Sequence, residues 1–302
     1  MLTGRDILWG VVLPAVVALV AAIAGQCGVG RDRRTQPWGP AAAIAAAFAV
    51  AYVGIAGGVP AFPPAVAQGW LFYFAALAVV VGILATIQMA FSSAPRPRPM
   101  LVGVLDFLAV FLLFLAPRLI FARAAALGPA KIRLGALAVF GGMFLWWLGM
   151  EALARRRHGV TLPLLLSAFA GSSALVLINA RTQTLGQIAG AVAVALLVMT
   201  LLSLWYRQLS LAGGGILAIN LIVLGLLLCG HLFADLTCRE MLILAAAPLA
   251  LWTGEIPPIA RKPWLRFAVS AVLMLAILSA ALVPALQGLK QTMDEQSQSS
   301  QY

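Results

Sequence analysis

Ten apolar blocks of 17–22 residues each decide what this chain can fold into. They lie at about 7–25, 41–59, 70–91, 100–116, 134–150, 161–179, 185–205, 213–233, 238–254 and 267–286. A helix crosses a hydrocarbon core of about 30 Å with about 20 apolar residues. In lipid every backbone N–H and C=O has to be paired inside the segment, and a helix does this by itself. Composition closes off the soluble alternative. The chain is 63% hydrophobic and only 10% charged, against about 25% charged in a soluble domain. The expected fold is therefore all-α: a polytopic integral membrane helix bundle with nine or ten transmembrane helices. Residues 1–286 form one transmembrane domain. The tail 287–302, rich in Gln and Ser, is expected to lack fixed structure.

Most blocks are separated by strong breakers. "QPWGP" (36–40) precedes the second, "VPAFPP" (59–64) follows it, "SSAPRPRP" (92–99) precedes the fourth, and "GEIPP" (254–258) ends the ninth; prolines at these densities stop a helix. Two blocks are weak. The ninth holds only 241–253 as an uninterrupted apolar run. The fourth is short, and "APRLIFARAAALGPAKIR" (116–133) follows it, with Arg118, Arg123, Lys131 and Arg133 among apolar residues. Either that stretch lies along the membrane surface as a basic amphipathic segment, or a span boundary there is misplaced.

The chain carries 17 Arg and 3 Lys and a net charge of +11. These residues gather between the blocks as "RDRR" (31–34), "RPR" (96–98), "RRR" (155–157) and "RK" (261–262). Short basic loops mark the cytoplasmic side of a membrane protein, so the lipid bilayer, and not nucleic acid, is the expected partner. With the N-terminus outside, the inside loops hold 12 of the Lys and Arg and the outside segments 8, four of those in the 117–133 connection. This orientation is adopted, with a bacterial inner membrane as the expected location. The first block is read as a retained helix, because Gln26 does not suit a lipoprotein cleavage site before Cys27. Gly54 with Gly58, and Gly186 with Gly190, are small residues four apart that let helices approach.

Polar residues inside the blocks need a reason. Asp106, six residues past Met100, is expected about 9 Å into the fourth block as a proton- or cation-coupling residue. Gln88 and Asn220 are intramembrane amides that join helices or line a polar site. Asn179 stands at the turn "NARTQT". Glu151 and Arg155 form an i, i+4 pair that requires no function. The stretch "CGHLFADLTCRE" (229–240) places His231, Asp235 and Arg239 four apart, an ion ladder if the helix continues. Glu255, before two prolines, and Arg239 are candidate rim residues. Three Cys make no disulfide framework. No paired His or Cys stands at metal-binding spacing, so neither a metal nor a cofactor is expected. Motifs for a nucleophile elbow, a phosphate loop or a dinucleotide site are absent. The reading favours a non-enzyme: a permease for a small solute or lipid, with Asp106 coupling and His231 and Asp235 gating the opposite end. The alternatives are a membrane scaffold or complex subunit with a protein partner, and a membrane-embedded lipid-modifying enzyme.

Overall fold

A computed structural model describes residues 4–27, 38–92, 99–124, 128–206 and 209–299. No strand occurs among them. Nine of the described helices are long and apolar enough to cross a membrane: α1 (4–27), α2 (Trp38–Ala56), α3 (Ala67–Ser92), α4 (Pro99–Phe121), α5 (Pro129–Arg156), α6 (Thr161–Asn179), α7 (Gln183–Trp205), α8 (215–233) and, last, α10 (Pro263–Ser299). The protein is an all-α polytopic integral membrane bundle. The clusters "RDRR" and "RPR" lie outside the described residues.

The helices run antiparallel in sequence, so the bundle has two ends. One is basic: Arg155, Arg156 and Arg157, then Arg261 and Lys262, collect there. The backbone N–H of Gly159 donates to the Leu209 carbonyl at 2.9 Å and ties the α5–α6 and α7–α8 connections together. The other end carries His231, Asp235 and the turn 180–182. There Arg123 Nη2 donates to the Pro64 carbonyl at 2.7 Å.

The ninth block departs from a simple helix. It forms α9 (Cys238–Ala246) and then a 3-10 stretch, Ala247–Glu255. At about 1.5 Å per residue for α and about 2.0 Å for 3-10, the two pieces together span roughly 31 Å. Its start shares a cavity with Asn179 and Arg181, while its last residue pairs with Arg157. It therefore runs the length of the bundle beside α6, although it is not one of the nine span-length helices. The longer 3-10 rise of its second half, Ala247–Glu255, lengthens the segment and helps it reach both ends.

Of the two readings of 117–133, the described residues take the shifted span boundaries and not a surface segment. α4 continues through Pro117 to Phe121 and α5 begins at Pro129, so Arg118, Lys131 and Arg133 belong to helix ends. Long basic side chains reach the interface from such positions. The last helix runs on from Pro284 to Ser299, through good helix formers such as Ala, Leu, Gln, Lys and Glu.

Small residues set the closest approaches. A Cβ on Gly25 would sit 2.5 Å from Gly39 Cα, so α1 and α2 touch backbone to backbone. A Cβ on Gly186 would lie 2.7 Å from the Ala174 carbonyl, at the α6–α7 contact. Gly54 lies under the Trp9 ring, whereas Gly58 sits in a turn with φ +152°. The expected Gly54/Gly58 pair is thus one helix contact and one turn residue.

Candidate functional site

α5 is the organising helix. Only about a third of its length is buried, and it flanks two different openings. Toward the His231 end, α5, α8 and α9 bound an apolar groove of about 570 Å³, within the range of about 300–1,000 Å³ of small-molecule sites. Gly135, Gly142 and Trp146 line it from α5, Leu228 and His231 from α8, and Met241 and Leu242 from α9. Leu145 and Leu242 on its lips are 68% and 59% exposed, so the groove opens sideways, toward lipid. From Gly135 to Trp146 it covers about 17 Å, roughly the depth of one leaflet.

Toward the basic end, the other side of α5 faces a cavity of about 290 Å³ between α3, α4, α5 and α8. Asp106, Trp147, Glu151, Arg155 and Gly213 line it. Glu151 is buried. Its Oε1 accepts from Arg155 Nε at 3.0 Å and from the Gly213 N–H at 2.9 Å, while its Oε2 is buried with no partner. The run "GGG" at 213–215 allows this close backbone approach. Trp146 lines the groove and Trp147, next to it on α5, lines the cavity.

The remaining candidates scatter. Asp106 lies seven residues after Pro99, the first residue of α4, and its side chain is exposed. Asn220 is fully buried, and its Nδ2 donates to the Met143 carbonyl at 2.7 Å. Asn220 also opens a π-helical turn, Asn220–Leu224, a distortion frequent at functional sites. Asn179 lines a separate cavity at the His231 end with Arg181, Asp235 and Thr237. Gln88 lies on α3, and only its backbone is described.

The expected ladder of His231, Asp235 and Arg239 does not form. α8 stops at Phe233, and Thr237 caps α9 in a reciprocal capping box with Glu240. His231 Nδ1 bonds the Leu236 carbonyl at 3.0 Å. A carbonyl only accepts, so Nδ1 carries the proton in that bond. Asp235 pairs instead with Arg181 at 3.7 Å, both exposed. Thr-x-x-Glu at 237–240 is a readable capping signature and marks the break.

Glu255 is more than a rim residue. Arg157 Nε donates to its Oε1 at 2.7 Å, and Arg266 Nη2 donates to the same oxygen. Arg157 Nη2 also donates to the Leu251 carbonyl at 2.8 Å. Burial pulls the Arg157 guanidinium below its ordinary value, partly offset by the Glu255 bond. Burial by itself raises the Glu255 carboxyl, but the hydrogen bonds and charges of Arg157 and Arg266 outweigh it and hold the group below its ordinary value of 4.5. Arg157, read from sequence as one of a basic loop triplet, is in fact 5% exposed. Comparison with protein families, curated proteins and solved structures yields no match to this chain.

Proposed function

We propose that the protein is a permease-like carrier for a membrane amphiphile, with the α5–α8–α9 groove receiving the apolar part. The observation that carries the reading is the groove itself: apolar, one leaflet deep and open sideways between Leu145 and Leu242. A solute entering from water has no use for such an opening; a lipid tail does. The charged cavity on the opposite side of α5 supplies a polar compartment at the other half of the bilayer. A loosely packed helix with openings on both flanks is suited to exchanging one for the other.

The test uses vesicles carrying a lipid with a chemically bleachable headgroup dye. Without transport, an impermeant reductant bleaches only the outer leaflet, about half the signal. Reconstituted wild-type protein is expected to raise the bleached fraction above half. A Cβ on Gly142 meets nothing within 4 Å, and the residue lines the groove, so Gly142→Phe should obstruct the groove and return the fraction to half. Gly141→Phe, at a position where a Cβ is equally free but which does not line the groove, should leave transport intact. A wild-type fraction that stays at half, or equal transport by Gly142→Phe, overturns the reading.

A further inference from the structure

We infer that Glu151 and Asp106 hold one bound positive charge, a proton or an alkali-metal cation, in the cavity at the basic end. The evidence starts with Glu151. Its side chain is 8% exposed, and one of its two oxygens is buried without a partner. An ionised carboxylate offers about four acceptor positions, and a buried charge in a protein is ordinarily paired and hydrogen-bonded. Here both donors present, Arg155 Nε and the Gly213 N–H, go to the same oxygen, Oε1.

The groups facing Glu151 complete the charge count. α4 contributes Asp106, a second acid. α5 contributes Arg155, whose side chain is 67% exposed and therefore largely screened by solvent. Of its described side chains, α3 contributes Val81 and Ala85, and α8 contributes Leu217. Among the described residues, two acids thus face one base, and that base leaves Oε2 untouched. One further positive charge balances the cavity. A proton would sit on Oε2. A bare cation would lie in the cavity that Glu151 and Asp106 both line, whose volume of about 290 Å³ leaves room for several waters at about 30 Å³ each.

The inference goes beyond the carrier reading and does not depend on it, since its test measures binding and not flux. The protein is placed in phosphatidylcholine–phosphatidylglycerol vesicles and treated with dicyclohexylcarbodiimide, which modifies protonated carboxyls in apolar surroundings. The modified residue is located by peptide mass mapping. The pH is varied from about 5 to about 9, spanning the carboxylate and histidine ranges, with choline, sodium or potassium as the only cation. Modification of Glu151 that grows as pH falls in choline assigns the proton. Suppression of that modification by sodium or potassium, at least tenfold relative to choline, assigns the metal cation. Asp106→Asn should weaken the metal protection at least fivefold, or change the pH profile where the proton is the ligand. Glu151 unmodified at every pH in choline overturns the inference and leaves it a fixed partner of Arg155. Modification identical in sodium, potassium and choline and independent of pH overturns it as well. Arg155→Gln, at an exposed position, gives a second variant: it should preserve the modification of Glu151 and increase its extent.

Discussion

Removing Arg157 is the sharpest test of how the bundle is closed at its basic end. Arg157→Met keeps much of the side-chain volume but deletes the Nε bond to Glu255 at 2.7 Å and the Nη2 bond to the Leu251 carbonyl at 2.8 Å. Breaking a buried ion pair by removing one partner costs about 3–5 kcal/mol. Glu255 keeps Arg266, so the lower figure, about 3 kcal/mol, applies. At about 2–4 °C per kcal/mol for large domains, the apparent melting temperature should fall by roughly 6–12 °C. The assay is temperature-ramped tryptophan fluorescence in mild detergent at one scan rate, because unfolding of such proteins is often a rate and not an equilibrium. Glu255→Gln and the double variant complete a cycle. Their effects should fall short of additivity by at least about 1 kcal/mol. The pH dependence has a definite sign. Glu255 is held below its ordinary 4.5, so its contribution is fully present above about pH 4.5 and is lost as pH falls through the lower folded value. The deficit of Arg157→Met should therefore be constant from neutral pH to about 4.5 and shrink below it. Additive single effects, or a deficit that shrinks between pH 7 and 5, would refute the pairing as the source of the stability.

Other outcomes follow from the same geometry. Gly254→Ala should destabilise by a comparable amount, because its Cβ would lie 2.4 Å from Arg157 Nη2 and 2.5 Å from Ser270 Oγ; the same thermal ramp reads it. Thr237→Ala removes the α9 cap and should cost about 1 kcal/mol, seen as faster proteolysis of the connection 234–237. Gly25→Val should separate α1 from α2, since even a Cβ meets Gly39 Cα at 2.5 Å; cross-linking between cysteines placed on the two helices should weaken. Asn220→Leu removes the Nδ2 bond to the Met143 carbonyl together with a buried Oδ1 that has no partner; the two effects partly offset, so stability should fall by about 1 kcal/mol, and transport, not folding, would report any role of the π-helical turn.

Much of the fold was legible because a bilayer writes its thickness into sequence. Seven of the nine span-length helices fall within about five residues of their apolar blocks, and α5 and α10 extend well beyond theirs. The exceptions share a cause: residues at the ends of segments. Arg118, Lys131 and Arg133 looked like a surface stretch because their charges, read without depth, outweigh the apolar residues around them. The 238–255 segment hid its length, since nothing in "APLALWTGE" distinguishes α from 3-10 rise. Of the candidate site, Asp106 was visible as a lone intramembrane acid. Glu151 was visible only as half of a local pair. Its other donor, the Gly213 N–H, comes 62 residues later, and Glu255 reaches Arg157 across 98 residues. Contacts at such separations leave no local pattern.

The crossing made of α9 and its 3-10 extension has a consequence for biogenesis. Its uninterrupted apolar run is too short to partition into a membrane as an independent helix, and it is packed along α10. The two must therefore enter the bilayer as a hairpin, turning at Ile256–Lys262, with α10 supplying the hydrophobic drive for both. A chain ended at Glu255 would leave the last segment outside the membrane and the basic end of the bundle unclosed, so a ribosome must finish α10 before the ninth passage can be made.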